Sequence, residues 1–340
     1  MLDVPGLYRI PAAPPEDMGR SSSWRWVKLL ACSALLVLAA QLLVCRVTLG
    51  GHRPPKPSPL PPHEYRILAP ESYRYLLNSP AACRHRSPFL VLMVPVAPQE
   101  TAAREAVRRT WGAPRLDTLT LFFVGLPPPG EGVLGVQAQL EEESRAWGDI
   151  VQMSFRDSYQ NLTIKTLMMM HWLSRHCPHA AYAMKVDADI FLNVFHLLGH
   201  LERPPRRGFI TGSVISDGVP RRDRRSKWFL SEEAYPEDHF PPYVSGAGYV
   251  FSLDLAPRIS WASRFVRMIP LEDVYVGLCL RVLGVRPAYA QSLPTFRNLF
   301  EIGGLEYDRC TFTRLVIVNH FTPSQLENIW TDFSQGHQSC

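Results

Sequence analysis

The chain of 340 residues lacks a strong charge of either sign: 36 lysines and arginines against 31 aspartates and glutamates leave a formal net charge of +5. With no long basic run, that surplus argues against nucleic acid as a partner. The seven cysteines include no Cys-x-x-Cys, which argues against a zinc ribbon or a thioredoxin-like site. Apolar residues are not scarce. At 46% of the chain, with 20% charged, they exclude a disordered or fibrous protein and leave room for one large domain or two small ones.

Charge is missing altogether from LLACSALLVLAAQLLVC, residues 29–45. With Trp26 and Val27 the run approaches the roughly 20 residues that cross a bilayer, and only Lys28 and Gln41 interrupt it. It is longer than the apolar region of a signal peptide, and RVTLGGHRPP after it offers no convincing cleavage site. Proline then becomes frequent: HRPPKPSPLPPHEYRILAP holds seven in nineteen residues, a composition that favours an extended spacer. The expected organisation is a cytoplasmic tail over 1–25, a transmembrane signal anchor over 26–45, a stem over 46–82 and a lumenal globular domain over 83–340. Cys83, Cys177, Cys279, Cys310 and Cys340 would then face an oxidising compartment, where an odd number leaves at least one unpaired.

From Ser87 onward short β-rich runs alternate with segments of helical period, the pattern of an α/β sheet. FLVLMVPV (89–96), TLTLFFVG (118–125), DIVQ (149–152) and YAMKVDAD (182–189) read as strands, and 99–112, 137–147, 161–177 and 273–283 as helices. Ligands in open α/β sheets sit at the carboxyl ends of strands, and there Asp187 and Asp189 fall. A bare Asp-x-Asp is common. Its setting here, a buried strand before it and the apolar IFLN after it, makes it a candidate for holding Mn²⁺ or Mg²⁺ against a diphosphate.

The segments REAVRRTWG, LFFVG, DSYQNLTIKTL, YAMKVDADIFLN, SKWFLSEEAYPEDHFPPYVSGAGYVFS and EDVYVGLCLRVLG, in this order, resemble the animal β1,3-galactosyltransferases and their β1,3-N-acetylglucosaminyltransferase relatives, glycosyltransferase family 31. The likeness runs from about Cys83 to Cys340. It implies an α/β fold of the GT-A type, a Rossmann-like mixed sheet with flanking helices. It also implies UDP-galactose as donor, Mn²⁺ as cofactor, inversion at the anomeric carbon, a glycan acceptor such as an N-acetylhexosamine, and a type II protein of the Golgi membrane. Two other readings stay open: N-acetylglucosamine transfer to galactose, and a membrane-anchored glycan-binding protein that has lost catalysis.

Carried over by this resemblance, Asp187 and Asp189 are the metal and diphosphate motif, with His320 as a further metal ligand and Asn319 its alternative in register. Arg104 and Arg108, one helical turn apart, would face the nucleotide, although a basic face in water fits them too. Asp273 matches the position of the catalytic base and Glu272 is the second choice, against a carboxylate that merely favours a helix N-terminus. Gly246 and Gly248 would let the backbone approach the donor. Trp228 would stack on a sugar or fill the core. Val244 stands where these relatives usually have a cysteine, which implies that one family disulfide cannot form. Asn161-Leu162-Thr163 is an N-glycosylation sequon, and Lys165 and Thr166 beside it could pack below the nucleotide.

Overall fold

The computed structural model describes residues 21–49, 58–84, 87–130, 132–203, 205–288 and 305–335. The chain divides into two compact units, Met1–Lys56 and Pro57–Cys340. The first holds one helix, α1 (Ser21–Leu49), which covers the expected anchor and whose side chains are described, all exposed, over 26–41. Among the described residues no helix is long and apolar enough to cross a membrane.

The second unit contains the helices α2 (Pro62–Tyr65), α3 (Thr101–Arg109), α4 (Val133–Trp147), α5 (Leu162–His176), α6 (Val194–His200), α7 (Leu255–Ala262), α8 (Glu272–Leu283), α9 (Arg309–Phe312) and α10 (Pro323–Ser334). Its strands are β1 (Tyr75–Leu77), β2 (Leu90–Pro95), β3 (Thr118–Leu126), β4 (Ile150–Arg156), β5 (Tyr182–Val186), β6 (Phe191–Leu192), β7 (Ile210–Ile215), β8 (Tyr243–Ser252) and β9 (Ile317–Val318). Seven form one mixed sheet in the order β1-β4-β3-β2-β5-β8-β7, and β6 pairs with β9 apart from it. The four central strands, β4, β3, β2 and β5, are parallel; β1, β8 and β7 run antiparallel to their neighbours.

A central parallel strand is covered on both faces and reads as a continuous apolar run, which is why β2 is LVLMVP. Its side chains alternate between two cores. Val91 and Met93 join α5, α7 and α8 through residues such as Leu167, Ile259 and Val276. Leu90, Leu92 and Val94 join α3, α6 and α10 through Val107, Leu197 and Leu326.

The compact unit begins well before Cys83. Leu68 is fully buried, β1 pairs with β4 through Tyr75 opposite Met153, and the Arg74 amide donates to Ser154 Oγ at 2.9 Å. The expected spacer over 46–82 therefore does not hold for 58–77, where short helices and a strand form and apolar side chains pack against partners far away in sequence. Cys83 is bonded to Cys177 at the end of α5, Cys310 is also disulfide-bonded, and Cys279 is a free, buried thiol. Val244 lies in the same apolar core as Cys279.

Candidate active site

All four parallel strands end on one edge, at Pro95, Leu126, Arg156 and Val186. A buried lysine fastens three of these ends. Lys165, on α5, donates to the Val96 carbonyl at 3.0 Å and pairs with Asp157 Oδ2 at 2.8 Å, and the same carboxylate oxygen accepts the Gly125 amide at 2.7 Å. Burial lowers the Lys165 ammonium below its ordinary range in spite of Asp157.

Next to this edge four carboxylates gather. Strand β5 stops at Val186, and the Asp187 amide donates to the Ala247 carbonyl of β8 at 3.1 Å, so Asp187 leaves the sheet beside Gly246. Its side chain is 38% exposed, and Asp189 is exposed. Across Gly246 lie the first residues of α8. Asp273 Oδ2 accepts the Gly246 amide at 3.2 Å and Oδ1 the Val274 amide at 2.8 Å. Glu272 is buried: Oε2 accepts from Thr166 Oγ1 at 3.1 Å and Tyr249 OH at 3.3 Å, while Oε1 makes no hydrogen bond and faces Lys185 Nζ at 3.3 Å.

Lys185 is the cation of this cluster. Its ammonium donates to Asp187 Oδ1 at 2.6 Å and to the Gly246 carbonyl. Burial works against its charge, but Asp187, Glu272 and Asp273 together hold it above its ordinary range. One ammonium does not offset three carboxylates, and burial pushes Glu272 up to about 7. Asp273 is likewise raised by burial, partly opposed by its main-chain hydrogen bonds.

The donors that Asp187 and Asp189 offer are oxygens alone, the chemistry of a hard divalent cation, and both are open to solvent. His320 comes near through the backbone, since the Phe321 amide donates to the Asp189 carbonyl at 3.0 Å, and it is the one non-glycine with positive φ (72°) among the described residues. It does not complete a ligand set. Among the described residues no three histidine, cysteine, aspartate or glutamate side chains are grouped to hold a metal ion.

Arg104 and Arg108 do not face a nucleotide. Arg104 is wholly buried, with its guanidinium on Glu143 (2.6 and 2.8 Å), the carbonyls of Ala97 and Pro98, and Thr101 Oγ1. Arg108 bonds Asp149 at 2.7 and 2.8 Å and Glu143 at 2.7 Å, and stacks against Phe122 and Trp147. Burial pushes the Glu143 carboxyl up, and the two arginines more than reverse it, holding it below its ordinary value. The i, i+4 spacing does put both arginines on one face of α3, and that face is turned to α4. Arg104 reaches the site only indirectly, by holding the loop that leaves β2.

Trp228 is 46% exposed and not part of the core. It lies near the half-exposed Tyr159, whose hydroxyl is raised above its ordinary value by burial and by the carboxylates of Asp273, Asp187 and Glu272. An indole and a phenol thus stand beside the acidic cluster. At Gly246 a Cβ would meet Glu272 Oε1 at 2.9 Å, so the close approach there is made by the protein's own carboxylate; at Gly248 it would meet Met184 and Ile317 at 3.2 and 3.4 Å. The sequon is used within the fold: Asn161 Nδ2 donates to the Arg156 carbonyl at 2.8 Å, and the buried Thr163 hydroxyl to the Ile269 carbonyl at 2.7 Å.

Lys185, Asp157, Tyr159 and Tyr249 were not singled out by the sequence. A signal existed for Lys185: a lysine inside the buried strand YAMKV needs a partner, and the nearest carboxylate is two residues on.

A family model described as Galactosyltransferase matches residues 102–291, a range that includes Asp187, Asp189, Gly246, Glu272 and Asp273 but not His320. Beta-1,3-galactosyltransferase 2 of Mus musculus is 39% identical over 281 residues, covering 80% of this chain and 65% of that one. The chain therefore spans just under two thirds of that relative. Beta-1,3-galactosyltransferase 1 of Mus musculus is 40% identical over 284 residues, covering 81% of this chain and 83% of that one. Among solved structures, the galactosyltransferase LgtC in complex with donor and acceptor sugar analogs aligns over 74% of this chain and 97% of its own, at 12% identity and a TM-score of 0.33, too distant to inform the site. Matched by the family model over more than half its length, and near 40% identical to both relatives, the chain belongs to the galactosyltransferase family.

Proposed function

We propose that the chain transfers galactose from UDP-galactose, with inversion and in β1,3 linkage, to a glycan hydroxyl on an N-acetylhexosamine. The observation that carries this reading is the placement of Asp187 and Asp273 on either side of Gly246 at the carboxyl edge of the parallel strands. In the reaction the acceptor oxygen bonds to the anomeric carbon, the bond from that carbon to the UDP oxygen breaks, and the hydroxyl proton passes to Asp273. A carboxylate raised by burial is a stronger base than one in water, and its two main-chain hydrogen bonds fix where it points. Asp187 and Asp189 would hold Mn²⁺ through oxygen. The ion, when bound, offsets the charge that grows on the departing UDP. Trp228 and Tyr159 offer ring faces for a sugar.

Residence in the Golgi membrane as a type II protein is part of the same proposal. It is supported by the uncharged run of 29–45 and by a Cys83–Cys177 disulfide, which needs an oxidising compartment. The test is UDP release by the full-length protein with UDP-galactose and with UDP-N-acetylglucosamine, each with and without Mn²⁺ and a panel of glycan acceptors. Metal-dependent release from UDP-galactose that requires an N-acetylhexosamine is expected. Release from UDP-N-acetylglucosamine alone would assign the sister reaction, and release from neither donor by a protein that binds glycan would assign a binding role.

A further inference from the structure

Lys185 has three N–H groups to give, and the protein takes up all three directions. One donates to Asp187 Oδ1 at 2.6 Å, one to the Gly246 carbonyl, and the remaining side faces Glu272 Oε1 at 3.3 Å. The side chain is 4% exposed, so none of it is left for a substrate phosphate. Gly246, which accepts Lys185 at its carbonyl, donates its own amide to Asp273 Oδ2 at 3.2 Å. A continuous chain of hydrogen bonds therefore runs from Asp187 through Lys185 and Gly246 to Asp273. Asp187 Oδ2 makes no hydrogen bond among the described residues and stays available. The other buried lysine of this edge, Lys165, differs in its partners: a single carboxylate, Asp157, and the Val96 carbonyl. Lys165 ties strand ends together, whereas Lys185 ties together the residues that do chemistry.

Resting on the function proposed above, we propose that Lys185 is a positioning residue that sets the separation between the cation-binding carboxylate and the base. It holds Asp187 directly and Asp273 through Gly246, and touches neither sugar nor phosphate. Groups that orient a metal ligand in this way typically change metal affinity about 10- to 100-fold when they are removed.

The experiment compares the full-length wild type with Lys185→Met, Glu272→Gln and the double variant, reading the thermal unfolding midpoint and Mn²⁺-dependent UDP binding by titration calorimetry. Lys185→Met leaves the buried Glu272, and Asp187 beside it, without their cation, so a lower midpoint is expected together with UDP affinity weaker by about 10- to 100-fold. The double variant removes one of those carboxylates. It should recover the midpoint but not the affinity, while Glu272→Gln alone keeps Mn²⁺-dependent binding. A double variant that recovers both would make Lys185 a structural residue only, and so would a Lys185→Met that binds UDP as tightly as wild type. A wild type that binds no UDP with Mn²⁺ would instead overturn the proposed function itself.

Discussion

Glu272 and Asp273 are neighbours with opposite surroundings, and substitution should separate them. Asp273 is fixed by two main-chain N–H groups at a cleft, whereas Glu272 is wired inward to Thr166 and Tyr249. Asp273→Asn keeps the shape and removes the proposed base. Transfer should fall about 10²- to 10⁴-fold with Mn²⁺-dependent UDP binding unchanged, read as UDP release and by calorimetry; activity within tenfold of wild type would place the base elsewhere. Glu272 is better tested by pH. Its ordinary value is 4.5 and burial pushes it up to about 7, so between those limits the folded chain keeps a proton that the unfolded chain has lost. Stability present below pH 4.5 is therefore lost as pH rises to about 7, by roughly 3 kcal/mol at most. Urea unfolding at a series of pH values should show wild type losing ground to Glu272→Gln over that window and the difference levelling off above it.

At the scale of elements, α3 and α4 are joined by charge buried between them. Removing one partner of such a pair is costly because the other is left uncompensated. Arg104→Met should destabilise the protein by about 3 to 5 kcal/mol, read as a lower denaturation midpoint, with the KM for the proposed donor, UDP-galactose, unchanged in the folded fraction; a rise in KM at full stability would return Arg104 to the nucleotide. A second contact, between α8 and β8, is set by Gly277, where a Cβ would lie 2.6 Å from Tyr243 Cβ. Gly277→Ala should cost about 1 to 3 kcal/mol by overpacking, seen in the same denaturation assay. These elements differ in how much the sequence tells of them. Strand β2 was legible because burial on both faces leaves only apolar residues; β5 was expected to run to Asp189 but stops at Val186, before the two aspartates that break the apolar run. The partners of Arg104 and Arg108 were not. Glu143 and Asp149 stand 39 and 41 residues further on, and helical spacing reports which residues share a face but not what that face meets. Lys185 was hidden for a related reason: its three partners come from the turn after β5, from β8 and from α8, and only the antiparallel return of β8 brings them together.

The scale of the whole molecule decides where the folding unit begins. Seven prolines in nineteen residues make 52–70 look like a spacer, yet the structure places the boundary at Pro57, with β1 on the outer edge of the sheet beside β4. Leu68 is fully buried, the Leu60 amide donates to the Arg264 carbonyl at 2.7 Å, and Glu64 pairs with Arg267 at 3.2 Å. Apolar residues and ladder hydrogen bonds of this kind belong to the core, and deleting them exposes both their own surface and the surface they cover. The Cys83–Cys177 bridge, 94 residues apart in sequence, contributes about 2 to 5 kcal/mol and lies just after this segment. Two truncated chains, each placed behind a cleavable secretion signal, test this. One that starts at Pro57 should be secreted and unfold in a single cooperative transition. One that starts at Cys83 keeps every residue of the acidic cluster but loses Leu68 and β1, and should be retained in the cell or unfold at a much lower midpoint. Equal secretion and equal midpoints for the two would show that 57–82 is a spacer after all, and that the contacts of Leu68 and Tyr75 carry no weight in the fold.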